Sequence, residues 1–351
     1  MDSVANRFIK WRQARLIVLV ALLIFGFVLI DSGGAELSGK YHPGHYVAMG
    51  QTEPISSIKE LDEPAIQGVN KRYYWADLEP QKGIYDFSGI KRDLAFLRKH
   101  QKQLVVFITD KTFNLGKNPL PEYLSKFALP NMHGFTAKRW DPLVVDRLIA
   151  LNQALAKEFN TDPNFEGIAL QESALMITPA VQREQNYTPE KYRDALIKTL
   201  TESSKALNQS QVFWYMNHLE GNDEYLGDIA EAILPYRIVM GGPDILPFRK
   251  RLQLTYRLYD QFHGKLKLFC SAQEDSYRHD RTDSRNMGTA AATRNLPPPA
   301  SGYVPMREIF EFARTKLHVN YIFWEYINYQ GSMGQFTFND ALKVIRETPS
   351  F

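Results

Sequence analysis

Eight short apolar segments alternate with amphipathic ones along this chain, and that alternation is the strongest constraint on its fold. The segments are His45–Met49, Ile66–Tyr74, Gln103–Thr109, Phe165–Leu170, Gln211–Met216, Arg237–Met240, Leu266–Ser271 and Asn320–Trp324. Several are unbroken apolar runs, as expected for parallel strands covered on both faces. Helical periodicity fills most of the gaps. Ser88–His100 opens at a Ser cap and carries Ile90, Leu94 and Leu97 on one face. Val144–Phe159 carries Leu148, Leu151 and Leu155, and Thr188-Pro189 caps a helix running to about Leu207. Further helices are expected at Tyr225–Leu234, Pro247–Phe262, Pro305–Leu317 and Asn339–Glu347. Only the first crossover, near Ile55–Leu61, is short. This pattern predicts one α/β domain, a single (β/α)8 TIM barrel over residues 42–351.

The N-terminus reads differently. Arg7, Lys10, Arg12 and Arg15 precede an unbroken apolar run from Leu16 to Ile30, and small residues follow at Gly33 and Ala35. A basic flank and a run of that length predict a signal peptide or a membrane anchor helix over residues 1–35, with 36–41 as a linker. The barrel would then be extracytoplasmic: periplasmic, secreted, or tethered to the inner membrane with the barrel outside. A membrane partner is expected only through this segment, if it is uncleaved.

Charge and cysteine usage exclude several classes. The net charge is +3 with no basic stripe, so no nucleic acid is expected as a partner. Cys270 is the only cysteine, lies in an apolar strand and reads as an inert core thiol. His42 and His45 straddle a Pro-Gly turn and do not make a metal site. The sequence has no zinc helix, serine elbow or phosphate-binding loop, so neither metal nor cofactor is expected.

Barrel active sites collect at the carboxyl ends of the strands. Two carboxylates fall there on strands roughly opposite each other: Glu172 after the fourth strand and Glu274 after the seventh, each preceded by a glutamine, Gln171 and Gln273. Paired carboxylates from different strand ends are the tools of glycosidic bond cleavage, one protonated beside the leaving oxygen and one ionised beneath the anomeric carbon. The strand-five end supplies Asn217 and His218, as donors to substrate or to Glu274. The strand-six end supplies two glycines that permit close backbone approach, and Asp244, which can grip hydroxyls. Asp110 and Lys111 close strand three in a similar way. Strand eight ends Phe323-Trp324-Glu325-Tyr326. Two long connections, Lys111–Asp141 and Arg278–Tyr303 with Pro297–Pro299, follow strand ends and are expected to wall the cleft.

The stretch Gly68-Val-Asn-Lys-Arg72-Tyr-Tyr-Trp75-Ala-Asp-Leu-Glu79-Pro80-Gln-Lys-Gly83-Ile-Tyr85-Asp86-Phe87 is similar to the second-strand region of the clan A retaining glycoside hydrolases. The rest of the resemblance is positional and spans about residues 42–349. It implies Glu172 as acid/base and Glu274 as nucleophile. It also implies Arg72 or Trp75 near the substrate, Gln171 in place of the amide that grips the sugar 2-hydroxyl, and Trp324 as the aromatic floor under the cleaved sugar. Glu325 is a rival carboxylate that could bond a hydroxyl or hold Arg72. The resulting expectation is an exported, retaining, endo-acting glycosidase with a carbohydrate substrate. A catalytically silent glycan-binding barrel in envelope or exopolysaccharide assembly is the alternative.

Overall fold

The computed structural model describes residues 39–242, 244–281, 302–327 and 336–350. The expected signal or anchor segment and most of the connection after strand seven, including Pro297–Pro299, lie outside the described residues. Among the described residues no helix is long and apolar enough to cross a membrane.

Eight parallel strands close into a barrel: β1 (Gly44–Met49), β2 (Ile66–Tyr74), β3 (Gln103–Thr109), β4 (Phe165–Leu170), β5 (Gln211–Tyr215), β6 (Ile238–Gly242), β7 (Lys267–Ala272) and β8 (Tyr321–Glu325). Each pairs with its neighbours in chain order, and β8 returns to β1 with Tyr321 opposite Gly44 and Trp324 opposite Val47. The outer layer comprises α1 (Ser88–Lys99), α2 (Pro142–Phe159), α3 (Pro189–Ala206), α4 (Tyr225–Ala232), α5 (Gln253–Phe262), α6 (Met306–Thr315) and α7 (Phe338–Glu347). The first crossover holds only a short 3-10 turn, Ile55–Ser57.

The cap residues explain where helices begin. Thr188 accepts a bond from the Lys191 amide and Pro189 takes the first helical position of α3. Asp141 caps α2, which therefore starts at Pro142, two residues before the apolar periodicity begins. The expected Ser88 cap is corrected: Ser88 is already helical, and its amide is taken by the Asp86 carboxylate at 2.9 Å.

Side chains alternate between two cores. Tyr46, Val105, Phe107, Ala169, Phe213, Tyr215, Val239, Phe269, Tyr321 and Phe323 fill the barrel, and their strand neighbours pack outward against the helices. Phe213 sits among rings at 5.1 to 5.4 Å: Tyr321, Phe323 and Phe269. Gly241 belongs to this tight interior, where an added Cβ would stand 2.0 Å from the Phe269 carbonyl oxygen. At the amino end of the strands a polar plug replaces apolar packing. Buried Glu166 accepts from the Tyr321 hydroxyl at 2.7 Å, the His42 amide at 3.0 Å and His42 Nδ1 at 2.6 Å. His45 is likewise occupied, its Nε2 with the Thr348 carbonyl and its Nδ1 with Trp324 Nε1.

The Glu79–Phe87 stretch acts as a brace. Buried Glu79 accepts from Trp75 Nε1 at 2.9 Å and the Gly83 amide at 2.8 Å, and it pairs with Arg147 from α2. Gly83 takes a φ of +76°, the left-handed conformation that glycine adopts at no cost. This corrects one expectation: Trp75 has no exposed surface and serves the brace, not the substrate.

Candidate active site

A cleft of about 1260 Å3 opens at the carboxyl ends of the strands. It takes in Arg72, Gln171, Glu172, Asn217, His218, Asp244, Glu274 and Glu325, eight of the ten site residues expected from sequence. Trp75 is one exception. Trp324 is the other, and strand parity explains it. On β8, Tyr321 and Phe323 point into the barrel, whereas Ile322 and Trp324 belong to the outer core. Trp324 is fully buried, packs its ring 6.0 Å from His45 and cannot be a sugar platform. Glu325, next in phase with Phe323, reaches the cleft instead.

Glu172 follows β4 and is held on both carboxylate oxygens. Lys111, whose side chain is fully buried after β3, donates to Oε1 at 2.8 Å. Asn217, after β5, donates to Oε2 at 2.6 Å, so its partner is Glu172 rather than Glu274. Burial alone would raise the Glu172 pKa, but Lys111 and then Asn217 outweigh it and hold the carboxyl below its usual range. The backbone is fixed as well. Arg139 forks onto Asp110 at 2.7 and 2.8 Å and donates to the Glu172 carbonyl. Glu220 accepts the Leu175 and Met176 amides at 2.8 and 2.6 Å, anchoring the loop beyond Glu172.

Glu274 is more open. Its side chain is 46% exposed and pairs with Arg278 at 2.9 Å. Its amide donates to Glu325 at 2.6 Å, so the two candidate carboxylates on β7 and β8 are neighbours. Burial raises the Glu325 pKa, and Arg72 offsets part of the rise. Arg72 itself lies 4.8 Å over the Phe107 ring on the cleft floor. Asp244 is the most strongly perturbed acid here: burial, with Glu172 and Asp275 nearby, lifts its pKa to about 7. His218 pairs with Asp223 at 2.7 Å, which raises its pKa.

The expected wall after β3 is present. A 3-10 turn (Glu122–Phe127) and an antiparallel hairpin (Ala128–Pro130 with Phe135–Ala137) shape it. It lends Phe113, Met132 and His133 to the cleft, and Phe113 and Met132 are largely exposed. Sequence reasoning gave Lys111 no distinct role and missed Arg139 and Glu220. Lys111 was marked by its strand-end position; Arg139 carried no local signal.

By sequence, no family model and no curated protein matches the chain. By structure it is similar to the catalytic domain of β-amylase from Paenibacillus polymyxa, with a TM-score of 0.54 at 12% identity over 81% of this chain and 93% of that one. It is also similar to GH5_18 from Bifidobacterium longum subsp. longum in complex with Manβ1-4GlcNAc, with a TM-score of 0.53 at 13% identity over 86% and 73% of the two chains. Endo-glycoceramidase II from a Rhodococcus species gives a TM-score of 0.53 at 10% identity over 87% and 79%. At such identities the likeness is one of fold. That fold is a (β/α)8 barrel, the closed ring of eight parallel strands described above, and the three similar structures share it.

Proposed function

We propose that this chain is an exported glycoside hydrolase that cleaves an oligosaccharide or polysaccharide internally by retaining double displacement. The observation that carries the reading is the convergence of Glu172 and Glu274 on one cleft at the strand ends, with Arg72, Gln171, Asn217 and Glu325 around them. Glu274 attacks the anomeric carbon as the glycosidic C–O bond breaks, and Glu172 gives its proton to the departing oxygen. Glu172 then takes a proton from water, whose oxygen displaces Glu274 and releases the sugar. The structural neighbours, among them a β-amylase and an endo-glycoceramidase, support a carbohydrate substrate. Endo action fits a large cleft walled by the connection after β3, and export fits the basic flank and the Leu16–Ile30 run.

The test is a pair of rate measurements, on a natural glycan and on an activated aryl glycoside. Glu274→Ala should lose turnover on both. Glu172→Ala should lose about 10²–10⁴-fold on the natural glycan and much less on the aryl glycoside, because a good leaving group needs little protonation. Azide should rescue Glu172→Ala and give a product of retained configuration. Glycan binding without turnover or covalent trapping in the unaltered protein would instead make it a silent glycan-binding barrel. For export, an enzymatic reporter fused after Ala35 should be active outside the cytoplasm; a cytoplasmic signal would refute it.

A further inference from the structure

We infer that the sugar seated in this cleft carries a free amine, so that the substrate is a glycan with unsubstituted hexosamine units. The inference rests on the carbohydrate reading and deepens it. Among the described residues the cleft presents seven carboxyl groups against three guanidinium groups, Arg72, Arg251 and Arg278. A cleft lined by one sign of charge concentrates ligands of the other. The acidic surplus is local. Asp244, at the end of β6, lies close enough to Glu172 after β4 and to Asp275 after β7 to feel both charges. The Asp244 side chain is 11% exposed, and the guanidinium that pairs with it, Arg251, stands 3.9 Å away with 65% of its side chain in solvent.

Independent evidence comes from buried polar atoms. Gln171 Oε1 and Glu220 Oε2 have no hydrogen-bond partner, although both residues line the cleft and are only 7% and 6% exposed. Buried acceptors left unmet are costly, so each calls for a donor. Both lie on the same side of the barrel as Asp244. A neutral hydroxyl offers one proton and no charge. A uronate would add a further like charge. An acetamido group offers one N–H and a bulky acyl arm. An ammonium offers three donors and the missing positive charge, and so meets both requirements.

The experiment titrates the full-length protein with D-glucosamine and D-galactosamine, and with their N-acetyl forms, by saturation-transfer NMR. At least one amine should bind roughly tenfold more tightly than its N-acetyl form, the scale of one charge-assisted hydrogen bond. The gap should narrow in Asp244→Asn. It should also narrow at high salt in the unaltered protein, which keeps the test valid if the variant does not fold. Equal binding, tighter binding of the N-acetyl sugars, or no binding of either amine would overturn the inference. The titration reads binding alone, and a separate assay on aryl glycosaminides and neutral aryl glycosides reads turnover, so amine preference without hydrolysis of either class would keep the site and remove the hydrolase reading. Hydrolysis of neutral glycosides alone would do the reverse.

Discussion

Lys111 decides when Glu172 carries a proton. Its ammonium, buried 2.8 Å from Oε1, holds the carboxyl ionised to lower pH than usual. The acid form therefore exists only below that depressed pKa. If Glu172 is the acid, kcat/KM should fall as pH rises through it and leave an acidic optimum. Lys111→Met removes the largest influence holding the carboxyl down and leaves burial opposed only by Asn217 and Arg139, so the falling limb should move to higher pH. A pH–rate profile measures this, and an unmoved limb would detach Glu172 from the chemistry. Glu325 shows what sequence can and cannot reveal at this scale. The strand-eight end announced an aromatic and a carboxylate in succession, but which of them faced the cleft depended on parity within the closed barrel. The same parity turned Trp324 outward.

The elements were far more legible. Strand boundaries fell within two residues of expectation because parallel strands buried on both faces must be continuous apolar runs, and the caps of α3 are local chemistry. The loops were not legible, since what shapes them is distant in sequence. Arg139 reaches back 29 residues to Asp110 and 53 forward to Tyr192, and so clamps the hairpin segment onto the strand-four loop. Arg139→Ala would strand a buried Asp110 carboxylate and should cost about 3–5 kcal/mol. Lysine cannot reproduce the fork, so Arg139→Lys should recover little of it. Denaturant unfolding curves give both values; near-normal stability in Arg139→Ala would mean that the clamp is dispensable.

At the scale of the whole molecule, stability rests on an interior filled largely with rings. Phe213 touches Tyr321, Phe323 and Phe269 at once, with no solvent on any side. Phe213→Ala should cost about 3–5 kcal/mol, because closed strands cannot collapse into the void. A thermal scan should show the corresponding drop in Tm, and an unchanged Tm would mean that the interior repacks. The polar plug below responds to pH in a definite sense. Its hydrogen bond to Glu166 raises the His42 pKa, so the contribution is full below the unfolded value near 6.5 and is lost as pH rises through the folded one. Glu166→Gln should flatten that dependence, as chemical denaturation across the neutral range would show.

The placement of the tryptophans decides how this protein can be watched in solution. Four of the five, Trp75, Trp140, Trp214 and Trp324, are buried in the shell between strands and helices, and none lines the cleft. Their emission is shielded from water and should be blue-shifted. It will shift red when the shell opens, yet stay almost silent when a sugar enters, so intrinsic fluorescence is a gauge of unfolding here and a poor one of ligand occupancy.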